Sequence, residues 1–179
     1  MSFKDNYKKN ILPKLQKDLG IKNVMDIPKI EKIVLNMGIG TYVKNGGKDI
    51  NILKNDLALI AGQAPVVKNA KKAISNFKLR EGMPVGIMVT LRGDRMFYFL
   101  DKFINIIGPR IRDFRGFSNK SFDKEGNYNC GIKEHTIFPE VPQQDIVKPY
   151  GMQITLKMKG NNLEHNKALL LALGYPFQK

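Results

Sequence analysis

The sequence predicts an α+β protein: an open, largely antiparallel sheet with helices packed on one face, a free basic and polar opposite face, and a long basic loop. Three observations carry that expectation. Several segments alternate apolar and polar residues with the period of a strand. Others repeat apolar residues three and four apart, as a helix buried along one side requires. Between them runs a stretch rich in Lys with no convincing period. At 179 residues the chain fits a single domain, residues 1–179, with room for a core.

The first element, "FKDNYKKNILPKLQKDLG", reads as a helix closing at Gly20, with Tyr7, Ile11, Leu15 and Leu19 along one side. Pro13 removes one of its hydrogen bonds and is expected to kink it. A strand follows at "IEKIVLNMG", with Ile33, Leu35 and Met37 on one face and Lys32, Val34 and Asn36 on the other. After the Gly-rich turn "GIGTYVKNGGKD" comes a helix bearing Ile50, Leu53, Leu57 and Ile60 and ending at Gly62. Val66 and Val67 read as a short strand. The remainder of "QAPVVKNAKKAISNFKLREGMPVG" sets Lys68, Lys71, Lys72, Lys78 and Arg80 against Glu81 alone, and reads as a long basic loop.

In "VGIMVTLR", Val85, Ile87, Val89 and Leu91 form an apolar face opposite Gly86, Met88, Thr90 and Arg92. "MQITLKMK" divides the same way, Met152, Ile154, Leu156 and Met158 against Gln153, Thr155, Lys157 and Lys159. Two further amphipathic helices supply cover. One is capped by Asp94, carries Met96, Phe99, Leu100, Phe103 and Ile107, and is stopped by Gly108-Pro109. The other is capped by Asn161 with Glu164, bears Leu169, Leu170 and Leu173, and stops at Gly174.

Charge narrows the function. Lys and Arg number 30 against 16 Asp and Glu, a formal charge of +14, in a chain whose 42% apolar content is that of a folded protein. Residues 68–115 are the most basic part, with 11 basic and 4 acidic groups. A field of this sign attracts polyanions. The single cysteine, Cys130, excludes an internal disulfide framework, and no Cys/His spacing suits zinc, so no metal or cofactor is expected. "MSFKDNYKKN" lacks the apolar core of a signal peptide, and no run approaches a membrane span, which points to a soluble, cytoplasmic chain.

Catalysis finds little to stand on. His135, in the strand-like "IKEHTIF", and His165, in the first turn of a helix, read as structural and surface residues, and Cys130 reads as an inert thiol. The Gly-rich turn is no phosphate loop: Tyr42 stands five before Gly47 where glycine is needed, and Asp49 replaces the hydroxyl after Lys48. Two classes remain, an RNA-binding structural protein and a basic nucleic-acid-processing enzyme. The lack of a carboxylate cluster or a His-based acid/base pair argues against the enzyme. A membrane-surface protein would need a basic amphipathic helix, whereas here the basic groups concentrate in loops and strands. Polar alternation alone is common in sheets with one solvated face, but the excess of Lys and Arg there favours phosphate. In the basic loop, Phe77 can stack on a base or pack back as an anchor.

The runs "EKIVLNMGIG", "AGQAPVVKNAKKAISNFKLREGMPVG", "VTLRGDRMFYFLDKF", "PRIRDFRGFSNKSFDKEGNYNCGIKE", "IFPE" and "GYPFQK" resemble, in order and spacing, the bacterial large-subunit ribosomal protein five family. The resemblance covers nearly the whole chain and implies a non-enzymatic, ribosome-bound role. It implies binding of 5S rRNA in the central protuberance, with 23S rRNA and other proteins of that region nearby, contact with the P-site tRNA, and a bridge to the small-subunit head protein numbered thirteen. Carried over, Asn36, Met37, Gly38, Gln63, Lys68, Thr90 and Arg92 match positions associated with 5S rRNA. Lys71, Lys72, Asn76, Phe77, Lys78 and Arg80 match the loop that reaches tRNA. Arg110, Arg112 and Arg115 match the region of the bridge, or of RNA contact. In "GPRIRDFRGFSNKSF", Ile111 and Phe114 would anchor the segment while these arginines project, unless Asp113 holds one of them. Tyr150 departs from the family, which usually has a basic residue there.

Overall fold

The computed structural model describes residues 3–44, 50–142, 149–160 and 162–178. Five antiparallel strands form one open sheet, and with the helices they make the expected α+β architecture. They are β1 (Lys29–Gly38), β2 (Val66–Asn69), β3 (Pro84–Leu91), β4 (Tyr128–Ile132) and β5 (Met152–Lys159), in the order β2-β3-β1-β5-β4. The strands expected around Ile33, Val66, Ile87 and Ile154 are present. β4 is an addition: Asn129 and Gly131 have weak strand preference, and only Tyr128, Cys130 and Ile132 point inward.

Two helices pass through a proline by the same device. α1 comprises Phe3–Asn6, a π-helical turn Tyr7–Ile11, and Leu12–Asp18. α4 comprises Gly93–Lys102, a π-helical turn Phe103–Ile107, and Gly108–Arg110. In each, the residue before proline donates its N–H five residues back, Leu12 to Tyr7 and Gly108 to Phe103. The widened turn makes room for a ring that would clash with the carbonyl four residues earlier. Gly108-Pro109 therefore does not stop α4, as expected from sequence; the helix ends after Arg110, where Ile111 turns extended.

α2 (Gly40–Lys44) and α3 (Asn51–Ala61) complete the region between β1 and β2, and α5 (Leu163–Ala172) follows β5. Gly47, Lys48 and Asp49 of the Gly-rich turn, and the expected cap Asn161, lie outside the described residues. Asn162 caps α5, its side chain accepting the Glu164 N–H at 3.0 Å. Asp94 does not cap α4. It lies in the first turn, favourable against the helix dipole, and pairs with Lys4.

The chain groups into two compact units, with boundaries inside β1, β4 and β5. The first takes residues 1–33, 92–130 and 155–179. Its core holds Tyr7, Leu15, Met96, Phe99, Leu100, Ile107, Leu156, Leu169 and Leu170. Aromatic rings join distant segments there: Phe117 lies 5.3 Å from Phe103 and 5.1 Å from Tyr175, and Tyr128 lies 5.2 Å from Tyr175. The second unit takes residues 34–91 and 131–154. Leu35, Met37, Ile87, Val89 and Leu91 are buried on one side of its strands, and α2 and α3 lie against β3. Leu53, Leu57 and Ile60 are the buried stripe of α3, each side chain contributing about 1.5–3 kcal/mol.

Candidate nucleic-acid interface

The polar side of the second unit is set by strand alternation. Because Leu35 and Met37 point into the core, Asn36 between them must point out, and it is exposed. On β3, Ile87, Val89 and Leu91 point inward, leaving Gly86, Met88 and Thr90 on the polar side. β2 runs antiparallel to β3 with Lys68 opposite Gly86 and Val66 opposite Met88. Residues directly opposite in a ladder share a face, so exposed Lys68 stands on the same side as Thr90.

Gln63 follows the left-handed Gly62 that closes α3, and its Nε2 reaches the Thr90 carbonyl at 3.4 Å. Half-buried, it ties the end of α3 to the end of β3. Gly38 is exposed at the end of β1. Met37 is 0% exposed, backbone included, so it belongs to the core and, contrary to expectation, offers no surface to a ligand. Among the expected 5S-binding positions, the second unit thus gathers Asn36, Gly38, Lys68 and Thr90 on or beside one face. Arg92 is exposed in the first unit, as the N-cap residue of α4.

Gly86 was not among the sequence-predicted site residues. A Cβ built there would lie 3.7 Å from Asn36 Oδ1 and 3.4 Å from the Met37 carbonyl oxygen. The signal was available: a lone glycine within an alternating strand marks a close approach.

The basic loop is an ordered extension of β2 and β3. Ala70 donates to Met83 O at 2.8 Å and Gly82 to Ala70 O at 3.0 Å. Ile74 and Leu79 then exchange hydrogen bonds at 2.9 and 3.1 Å around a 3-10 turn, Ser75–Phe77, with Lys78 left-handed at φ 51°. Lys71, Lys72, Asn76, Lys78 and Arg80 are exposed along it. Phe77 is 63% exposed at the tip.

In the first unit, Arg110, Arg112 and Arg115 are exposed, while Ile111 and Phe114 are half-buried as expected of anchors. Phe117 is a stronger anchor: it is buried, with Phe114 edge-on at 4.9 Å. The expected polar residues of β5 are partly engaged. Lys157 Nζ donates to Glu125 at 2.8 Å, and the Thr155 hydroxyl donates to Asn129 Oδ1 at 2.7 Å.

Cys130 and His135 are buried in the fold. Cys130 Sγ accepts from the Tyr175 hydroxyl at 3.3 Å, and burial pushes its thiol up to about 12. His135 is not in a strand: β4 ends at Ile132, and His135, itself buried, opens a 3-10 turn, His135–Ile137. Its Nδ1 accepts the Tyr150 N–H at 3.1 Å, which holds the ring in place. His165 is half-buried on α5. Among the described residues no group of three or more His, Cys, Asp and Glu could hold a metal ion, and no helix is long and apolar enough to cross a membrane.

Comparison with known proteins covers nearly all of the chain. Residues 23–80 match the family model described as ribosomal protein L5, and residues 84–177 match the model for the C-terminus of the same ribosomal family. The large ribosomal subunit protein uL5 of Prochlorococcus marinus (strain NATL1A) is 50% identical over 179 residues, covering 100% of this chain and 99% of the relative. That of Geotalea daltonii is 49% identical over 172 residues, covering 96% of each.

Proposed function

Because the chain belongs to the ribosomal L5 family, a structural and non-enzymatic component of the large ribosomal subunit, we propose that it binds 5S rRNA through the polar face of its second unit. The observation that carries this reading is the placement of Asn36, Lys68 and Thr90 on one side of adjacent strands, opposite the buried apolar side. An amide and a hydroxyl supply oriented hydrogen bonds for irregular RNA, and the ammonium supplies phosphate attraction. Gln63 supports this face through Thr90, Gly38 borders it, and Arg92 adds a phosphate contact from its own unit.

In the same reading the hairpin carrying Lys71, Lys72, Asn76, Phe77, Lys78 and Arg80 reaches the P-site tRNA. Arg110, Arg112 and Arg115 meet either RNA or the small-subunit head protein thirteen. 5S rRNA is thereby held in the central protuberance, against 23S rRNA and neighbouring proteins, on a cytoplasmic ribosome. The test is binding of transcribed 5S rRNA by the full chain. Asn36→Ala and Thr90→Ala are each expected to weaken it by about 1–3 kcal/mol, the cost of stranding a buried partner. Unchanged binding by both variants would remove the face from the interface.

A further inference from the structure

We propose that Gly86 is a positioning residue for RNA recognition, holding clear the space in which the Asn36 amide lies; the proposal rests on the reading of Asn36 above. Glycine inside a strand forfeits both cross-strand packing and conformational economy, so its presence at the middle of a sheet calls for a reason. The backbone shows one irregularity, a register shift where Lys68 and Asn69 pair with Gly86 and Pro84, but a bulge demands glycine only where φ is left-handed. Gly86 has no left-handed φ, unlike Gly82 at φ 79°, and any residue could adopt its conformation.

The reason lies in the space above it. β3 neighbours β1, and the missing Cβ points at Asn36, 3.7 Å from Oδ1, with the Met37 carbonyl at 3.4 Å. A methyl group would just touch the amide oxygen. A branched side chain would extend into the volume the amide occupies and turn it out of place. By contrast, a Cβ at Gly38, two residues along β1, would meet nothing within 4 Å. At Gly86 a Cβ would make contacts of ordinary van der Waals length, so it is the atoms beyond a Cβ that would reach the amide. Lys68, opposite Gly86 on β2, completes a row in which a cation and an amide flank a position without a side chain. An amide reads RNA only when its donor and acceptor face the right way, so an amide turned out of place would cost affinity even with every polar group retained.

The experiment measures 5S rRNA affinity of the full chain for Gly86→Val, Gly86→Ala, Asn36→Ala and each Gly86 variant combined with Asn36→Ala, with thermal melts beside them. Valine suits a strand, so Gly86→Val is expected to fold. It is expected to bind about tenfold more weakly, like Asn36→Ala, and the double variant no more weakly than either. The salt dependence is expected to match wild type, since no phosphate contact is lost. If Gly86→Val fails to fold, the Gly86→Ala pair carries the same comparison with a smaller loss. Wild-type affinity in a Gly86 variant, with Asn36→Ala weakened, overturns the proposal alone. Additive losses also overturn it, because Gly86 would then act without Asn36. Wild-type affinity in Asn36→Ala overturns the underlying reading of that residue, and the proposal with it.

Discussion

Nε2 of His135 lies 3.4 Å from a carboxylate oxygen of Asp56, and both side chains are buried. Since the Tyr150 N–H occupies Nδ1, the ring proton is assigned to Nε2 and faces Asp56. The pair ties α3 to the turn after β4. Asp56→Ala is expected to destabilise the chain by about 1–3 kcal/mol, because it strands a buried donor. His135→Ala is expected to cost more, since it also strands the Tyr150 N–H. Urea unfolding checks both, and 5S rRNA affinity of the folded variants is expected to stay within about twofold of wild type.

Cys130 makes alkaline stability a test of the core. In the folded chain its thiol is raised from 9.0 to about 12 by burial, and Tyr7 moves the same way, from 10.0 to about 12. The unfolded chain therefore ionises first. The stabilisation is fully present below pH 9 and is lost as pH rises from 9 towards 12. Denaturant midpoints are expected to fall across that window, less steeply in Cys130→Ser. Alkylation at pH 8 is expected to be slow until the protein is unfolded.

The hairpin separates two contacts. Lys71→Ala with Lys72→Ala is expected to leave 5S rRNA affinity nearly unchanged and to weaken tRNA binding to reconstituted subunits. Lys68→Ala is expected to reduce the salt slope of 5S rRNA binding by about one. An equal loss of 5S rRNA binding in the double variant would show that the hairpin is part of the same contact.

Gly116→Ala tests the anchor beneath the exposed arginines. Gly116 has φ 99°, and a Cβ there would lie 2.5 Å from Gln178 N and 2.6 Å from the Phe177 carbonyl carbon. Backbone cannot step aside as a flexible side chain can. Strain and overlap together are expected to cost about 3 kcal/mol or more, measured as a lowered melting temperature.

How much was legible from sequence follows from how local each cause is. Strands β1, β3 and β5 were readable because a buried face imposes a period of two, as Ile33, Leu35 and Met37 show. β4 was not, because its place comes from pairing rather than from the preferences of Asn129 and Gly131. Pro109 was read as a stop because the rule for proline is local, whereas the π-helical turn that admits it depends on where Phe103 and Ile107 are buried. At the candidate site, Asn36 and Thr90 were legible as outward positions of strands. Met37 was carried over as a site residue, though the same alternation sends its side chain inward. Gly86 stands out in the sequence as a lone glycine in an alternating strand, but that its neighbour is Asn36 follows only from β1 lying beside β3.

The aromatic cluster of the first unit sets a clock on synthesis. Phe103 stacks on Phe117, which rests on Tyr175, and the Phe177 ring lies 5.2 Å from Tyr175. From Phe103 to Phe177 the growing polypeptide gains 74 residues, which takes roughly 4–15 s at 5–20 residues per second. Until the last of those residues is added, Phe103 and, once made, Phe117 lack the complete set of rings that covers them. A basic nascent chain with uncovered aromatics is surrounded by RNA, so early shielding by a chaperone would govern how much of it matures.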